Sequence, residues 1–310
     1  MPTEFEIIRK YFDRPAGSAR LGVGDDAALL VPRAGMELAA STDLLLEGRH
    51  FARGADPRRL GHKSLAVNLS DMAAMGATPR WAMLAIALPE ANEGWLAAFA
   101  EGWFALAARH RTELIGGDTT RGPLAICITI LGEVPAGQAL LRSGARPGDD
   151  LWVSGELGGA ALALSHPEID AAVRRLDAPE PRVALGERLR GVANSAIDVS
   201  DGFVQDLGHV LARSGCGARV EYSKLPRSAA FEQLRDPALE RRCVLGGGDD
   251  YELVFSAPSA ERSRIEALVP ALGVALTRVG AIVAGESRLD LLDAAGRPMV
   301  LERGFDHFAT

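Results

Sequence analysis

Six short motifs built on aspartate constrain this chain more than any other feature. They are Gly24-Asp25-Asp26, Ser41-Thr42-Asp43, Ser70-Asp71, Gly116-Gly117-Asp118, Asp198-Val-Ser-Asp201-Gly202 and Gly247-Gly248-Asp249-Asp250. Each stands where an element is expected to end. A single aspartate after glycine is ordinarily a turn or a helix cap. Six in one chain imply acids gathered for a purpose, and carboxylates that share a site repel one another unless cations join them.

Short strand-like runs at 37–42, 80–88 and 124–134 alternate with helical stretches near 57–75 and 92–110. After the turn-rich segment Arg142-Ser-Gly-Ala-Arg-Pro-Gly-Asp-Asp150, strands are expected near 151–154, 194–199, 217–222, 251–256 and 274–283. Helices are expected there near 158–165, 182–191, 202–213 and 259–269. The pattern predicts two α/β (α+β) domains, 1–141 and 142–310. The interval from Ser70-Asp71 to Gly116-Gly117-Asp118 nearly repeats from Ser200-Asp201 to Gly247-Gly248-Asp249. Duplication and coincidence explain that echo equally well.

Two segments carry the local argument. In 57–75, Asp56 suits the N-cap, Pro57 the first helical position and Gly76 the stop, so Asp71 falls among apolar neighbours, away from a charged side bearing Arg58, Arg59 and Lys63. A carboxylate there needs a cation or donors, Asn68 and the backbone being the bland alternative. In 194–201, alternation sets Ala196, Asp198 and Ser200 on one strand face, and Asp201 is expected to cap the helix that begins at Gly202. Oxygen donors of this kind suit Mg²⁺ or Mn²⁺.

Composition narrows the classes. Hydrophobic residues at 47% and charged residues at 24% describe an ordinary globular chain. A net charge of −7 without a long basic run argues against nucleic acid as a partner. Cys127, Cys216 and Cys243 form no CxxC pair, which points to a reducing cytoplasm. Acids at Glu4 and Glu6 stand where a leader needs basic residues, and the apolar runs are too short to span a bilayer, so no membrane role is expected. The six histidines make no HxH or HExxH pattern, and neither GxxxxGK[ST] nor GxGxxG occurs. Any triphosphate must then be held chiefly through metal ions, helped by backbone amides at Gly116-Gly117 and a cation such as Arg142.

Taken in order, the motifs resemble the thiamine-monophosphate kinase family, of the aminoimidazole-ribonucleotide-synthetase-like superfamily of ATP enzymes. The resemblance runs from Glu4-Phe-Glu-Ile-Ile to Gly304-Phe-Asp-His-Phe308. It passes through Gly22-Val-Gly-Asp-Asp-Ala-Ala28, Gly48-Arg-His-Phe51, Lys63-Ser-Leu-Ala-Val-Asn-Leu-Ser-Asp-Met-Ala-Ala-Met-Gly-Ala77, Ile115-Gly-Gly-Asp-Thr-Thr-Arg-Gly122 and Gly247-Gly-Asp-Asp-Tyr-Glu-Leu253. It implies a two-domain fold, with an N-terminal mixed sheet and helices forming a homodimer interface and a C-terminal α/β domain completing the active site. Trp81–Leu88 and Leu124–Leu131 are the candidate interface strands, although periodicity equally allows them to be buried within one subunit.

The implied activity is phosphorylation of thiamine monophosphate by ATP, the last step of thiamine diphosphate synthesis. Asp26, Ser41, Thr42, Asp43, Asp71, Asp118, Asp198 and Asp201 fall at the family's Mg²⁺ ligands, with Asp43, Asp71 and Asp201 the implied catalytic acids. Gly117, Asp118, Arg142 and Ser200 fall at its ATP contacts, and His50, Asp249 and Phe305 at its thiamine-phosphate contacts. Asp249 replaces a frequent Glu, and Phe305 a frequent Tyr or Trp. The acceptor, a phosphate monoester with a second pKa of about 6, needs no general base at neutral pH.

Relatives within the superfamily fit less well. Selenophosphate synthetase carries a reactive Cys or selenocysteine near its N-terminus, whereas the first Cys here is Cys127, in a strand expected to be buried. A hydrogenase-maturation protein ends in Cys, and this chain ends Phe308-Ala309-Thr310. A silent metal- or nucleotide-binding protein and a two-metal phosphohydrolase are the readings from other classes, the latter weakened by the missing histidine ligands.

Overall fold

The computed structural model describes residues 2–302 and 304. The chain divides into two compact units, the first made of Met1–Met72 and Ala77–Gly137, the second of Ala73–Gly76 and Gln138–Thr310.

The first unit contains α1 (Glu4–Ile7), β1 (Met36–Leu46), α2 (Pro57–Ala74), β2 (Thr78–Leu88), α3 (Glu93–His110), β3 (Glu113–Arg121) and β4 (Ala125–Pro135). Asp56 Oδ1 accepts the backbone N–H groups of Arg58 and Arg59 at 2.8 and 3.1 Å, which starts α2 where its cap and proline predict. The sheet order is β1-β4-β2-β3. Strands β2 and β3 are parallel, so α3 is the crossover that joins them, while β4 runs antiparallel to both β1 and β2. A Cβ on Gly61 would stand 2.1 Å from Phe99 O and one on Gly102 1.8 Å from Arg58 O, so α2 and α3 touch backbone to backbone only because both positions are glycine.

Alternation divides the sheet into an inner and an outer face. Leu45, Ala82, Leu84, Ile86, Ile126, Ile128 and Ile130 are buried, together with Leu65, Leu69 and Met72 of α2 and Phe99, Trp103 and Leu106 of α3. On the other face Leu38, Leu44, Leu46 and Met83 are exposed. Cys127 points to that outer face and is half-buried, which corrects its expected deep burial. Lys63 corrects the expectation of a charged, solvated side on α2: it is 3% exposed, and its Nζ donates to His50 O at 3.4 Å.

Strand β3 was not expected, because Gly116-Gly117-Asp118 reads as a turn. Pairing with β2 overrides that local preference.

The second unit contains β5 (Asp149–Ser154), α4 (Gly159–Ser165), α5 (Asp170–Asp177), α6 (Val183–Leu189), β6 (Ser195–Asp198), α7 (Phe203–Ser214), β7 (Gly217–Glu221), α8 (Pro237–Gly246), β8 (Leu253–Pro258), α9 (Arg262–Glu266), α10 (Leu268–Leu272), β9 (Leu276–Val283) and β10 (Leu289–Leu292). Its sheet order is β10-β7-β9-β5-β8-β6, antiparallel except for β10 with β7. One face packs Leu151, Val153, Val254, Ile197 and Val220 against Leu162, Phe203, Leu207, Leu211 and Val244 of the helices. Trp152 and Phe255 stack 6.3 Å apart, within a sheet whose alternation turns them from that core.

The elements α5, α8 and β10 were not expected, although Asp236-Pro237 is a start signal: Asp236 Oδ1 accepts from Ala238 and Leu239 N–H at 3.0 Å each. The suspected duplication is not supported. Ser70-Asp71 sits in a helix and Gly116-Gly117-Asp118 in a strand, whereas both counterparts lie between elements.

Candidate active site

In the first unit, strand alternation turns Ser41 and Asp43 to the helix-covered face and Thr42 to the open one. Ser41 Oγ donates to Asp71 Oδ2, so β1 and α2 deliver a hydroxyl and a carboxylate to one place, with Asp43 on the same side. Thr42 Oγ1 donates instead to Ile128 O at 3.1 Å and lies 3.1 Å from Thr129 Oγ1. Asp26 is exposed in the loop before β1.

Gly116, Gly117 and Asp118 lie within the edge strand β3, opposite Met83, Leu84 and Ala85. At Gly117 φ is 149°, and a Cβ would meet Leu84 O at 1.8 Å. Asp118 is exposed while Thr119 is buried, so Asp118 shares the open face with Thr42 and not the face of Asp43 and Asp71. His50 folds back on the end of β1. Its Nδ1 accepts Leu46 N–H at 2.9 Å, and the His50 backbone N–H donates to Leu46 O at 3.0 Å. With Nδ1 occupied as an acceptor, the neutral ring carries its proton on Nε2.

In the second unit, two motifs form one hydrogen-bonded pair of segments. Val199 N–H donates to Glu252 O at 2.8 Å, Tyr251 N–H to Val199 O at 2.9 Å and Asp249 N–H to Ser200 O at 2.9 Å. Asp198 is 4% exposed at the end of β6, whereas Ser200 is exposed. A Cβ on Gly248 would approach Ser200 O to 2.2 Å, and one on Gly247 would approach Cys243 O to 2.3 Å. The glycines are there to let backbones meet. Asp249 and Tyr251 both have positive φ, 64° and 51°, conformations that non-glycine residues adopt at a cost of about 1–3 kcal/mol each. Tyr251 Oη donates to Asp249 Oδ1 at 2.8 Å.

That strained loop is pinned by the acids beside it. Asp250 accepts Gly158 N–H at 2.6 Å and Ala160 N–H at 3.4 Å; burial pushes its carboxyl up to about 7 against the opposing pull of those bonds and of Arg175. Glu252, 1% exposed at its side chain, accepts from Arg182 Nε and Nη2 at 2.6 and 2.5 Å, from Arg175 Nη1 at 3.2 Å and from Ser154 Oγ at 2.6 Å.

Asp201 does not cap α7, contrary to expectation. Gly202 is the N-cap residue, and Asp206, from the first turn, reaches back to the loop. Burial pushes the Asp206 carboxyl up to about 7. Asp198 ends β6, which runs antiparallel to β8. Arg142 lies exposed in a 3-10 turn whose carbonyl accepts Ser214 Oγ at 2.8 Å.

Glu302 pairs with Arg241 at 2.9 Å, and Gly304 lies so close to Asp201 O that a Cβ would stand 2.9 Å away. Phe305 lies outside the described residues. Among the described residues no three His, Cys, Asp or Glu side chains form a ready metal cluster. Sequence reasoning missed Lys63, Asp206, Asp250, Tyr251 and Glu252 as site components. An acid in a helix's first turn was the available signal for Asp206.

Two domain models of the AIR synthase related proteins cover this architecture, the N-terminal at 24–134 and the C-terminal at 146–291. Fold and motifs thus define an AIR synthase-related protein. The thiamine-monophosphate kinase of Salmonella typhimurium is 45% identical over 321 aligned positions, spanning 99% of this chain and 98% of that one; the Bacillus subtilis enzyme of the same name is 33% identical over 98% of this chain. Among solved structures, the thiamine-monophosphate kinase of Stenotrophomonas maltophilia matches with 46% identity and a TM-score of 0.85, covering 94% of this chain and 95% of that one. AaThiL complexed with AMPPCP and TMP matches with 30% identity and a TM-score of 0.77, covering 92% of each chain. Within its class, the chain belongs to the thiamine-monophosphate kinase family.

Proposed function

We propose that this protein transfers the γ-phosphoryl group of ATP to the phosphate of thiamine monophosphate, yielding thiamine diphosphate and ADP. Support comes from its full-length relatives and from AaThiL, which is complexed with an ATP analogue and TMP. The observation within this chain that carries the reading is the ladder joining 199–200 to 249–252. It brings the acid loop read as metal- and nucleotide-binding beside the acid loop read as acceptor-binding.

An acceptor phosphate oxygen attacks the γ-phosphorus as the bond to the β-γ bridging oxygen breaks. The acceptor is already largely dianionic, so no proton has to be removed. The chain's task is then to bring two anions together and hold them in line.

The donors suit Mg²⁺, since they are carboxylates and hydroxyls, and Ser41 already engages Asp71. When bound, Mg²⁺ neutralises phosphate charge and orients the nucleotide. In this reading Asp43, Asp71 and Asp201 serve the transferring group; Ser41 supports Asp71 on the helix-covered face of the first unit, Thr42 and Asp118 supply separate metal donors on its open face, and Asp26 and Asp198 complete the metal set. Gly117, Asp118, Arg142 and Ser200 contact ATP. His50 offers Nε2–H to the acceptor phosphate, with Asp249 and Phe305 on the thiamine. The exposed guanidinium of Arg142 suits a screened phosphate contact.

The protein is read as a homodimer. Leu38, Leu44, Leu46 and Met83 expose one apolar sheet face of the first unit, and a second copy of that face is its occupant. No helix among the described residues is long and apolar enough to cross a membrane. Three free thiols and an ATP substrate support a cytoplasmic location.

The test is thiamine diphosphate formation from ATP and thiamine monophosphate, followed by chromatography beside ADP release. One product per ADP, dependent on Mg²⁺, is expected. ADP release indifferent to the acceptor overturns the assignment.

A further inference from the structure

Asp206 stands at the fourth position of α7, 2% exposed, with its side chain turned back past the start of the helix. A single oxygen, Oδ2, accepts three consecutive backbone N–H groups: Ser200 at 3.1 Å, Asp201 at 3.0 Å and Gly202 at 3.0 Å. Successive N–H groups converging in this way make a nest of the kind that binds phosphate. Here the acceptor oxygen in the nest belongs to the chain. Gly202 closes the turn with φ 128°, and a Cβ there would lie 2.8 Å from the Gly246 carbonyl carbon. On its other side Ser200 O accepts Asp249 N–H.

Both backbone groups of Ser200 are therefore spent inside the second unit, and the loop cannot rotate to offer its amides to a ligand. What it can present is side chains, the exposed Ser200 hydroxyl and the Asp201 carboxylate. The loop resembles a phosphate-binding turn in its backbone yet is built to face a ligand with oxygen.

We propose that Asp206 is a positioning residue for phosphoryl transfer: by filling the nest of residues 200–202 it bars nucleotide phosphate from those amides and holds Ser200 and Asp201 outward for the metal-bound nucleotide. This rests on the kinase reading above. It goes beyond a cap on α7, because a cap stabilises the helix without setting how much Mg²⁺ the enzyme requires.

The test uses the full chain, with kcat, the half-saturating Mg²⁺ concentration, the KM for each substrate and the thermal midpoint measured together. Asp206→Ala is expected to lower kcat and to raise half-saturating Mg²⁺ by about tenfold or more, with the KM for thiamine monophosphate within about twofold. Asp206→Asn keeps an acceptor oxygen in the nest and is expected to recover most of both losses. Should the alanine variant not fold, Asp206→Glu takes its place. Its extra methylene displaces the oxygen from the three N–H groups, and the same rise in Mg²⁺ requirement is expected. Parent-like kinetics in a folded variant with only a lower midpoint would overturn the positioning role, as would equal losses in Asn and Ala. A parent enzyme that makes no thiamine diphosphate sinks the kinase reading itself, whatever the variants do.

Discussion

Replacing Glu252 by Gln tests whether the acceptor loop is held in place by a buried charge cluster. The carboxylate is 1% exposed and serves four donor contacts from Arg182, Arg175 and Ser154. Glutamine keeps one oxygen, but the other becomes an NH₂ group facing guanidinium donors. Removing one partner of a buried ion pair costs about 3–5 kcal/mol, because the remaining charge is left without compensation. Arg175 and Arg182 are 27% and 12% exposed, so water recovers part of the loss, and about 3 kcal/mol is the expected figure. In a unit of this size that lowers the melting midpoint by about 6–12 °C. Calorimetry on the full chain gives the number. Steady-state kinetics should add a raised KM for thiamine monophosphate, since Glu252 anchors the backbone that leads to Asp249. A midpoint within about 2 °C of the parent would refute the clamp.

Asp71→Asn removes the charge that Ser41 engages and should lower kcat by about a hundredfold or more with the fold retained; activity within a few-fold at saturating Mg²⁺ would take Asp71 out of the metal set. Gly117→Ala, with its Cβ driven into Leu84 O, should cost about 2–4 kcal/mol and abolish activity, whereas Gly116→Ala, with open space around it, should be tolerated; melts of the two variants decide this. Asp250 holds its proton to about 7 in the folded state and to 3.8 unfolded, so between those values the native state binds more protons and stability falls as pH rises, levelling above about 7. Asp250→Asn should therefore gain stability relative to the parent between pH 5 and pH 8 in urea titrations, and a difference independent of pH refutes the raised carboxyl. Leu44→Glu places a charge on the open sheet face and should yield a monomer in sedimentation; an unchanged dimer would move the interface elsewhere.

The residue order alone determined the α/β character, the helix 57–74 with its Asp56 cap, and the presence of the aspartate motifs, because those signals are local. A cap, a period of 3.6 and a glycine before an aspartate can be read within a few positions. The helical placement of Asp71 was legible on that basis; its Ser41 partner, thirty residues away on β1, was not. The tertiary structure decided what non-local contact governs. Gly116-Gly117-Asp118 became an edge strand because β2 was there to pair with it, and pairing then turned Asp118 to the face opposite Asp43. Lys63 was buried because its neighbours closed over it, against its own preference for water. Asp206, rather than Asp201, took the start of α7, since only the folded turn at Gly202 aims three N–H groups at one oxygen. Which side of a strand an acid faces, and which backbone groups are already taken, depend on partners dozens of residues away, and no window along the chain contains them.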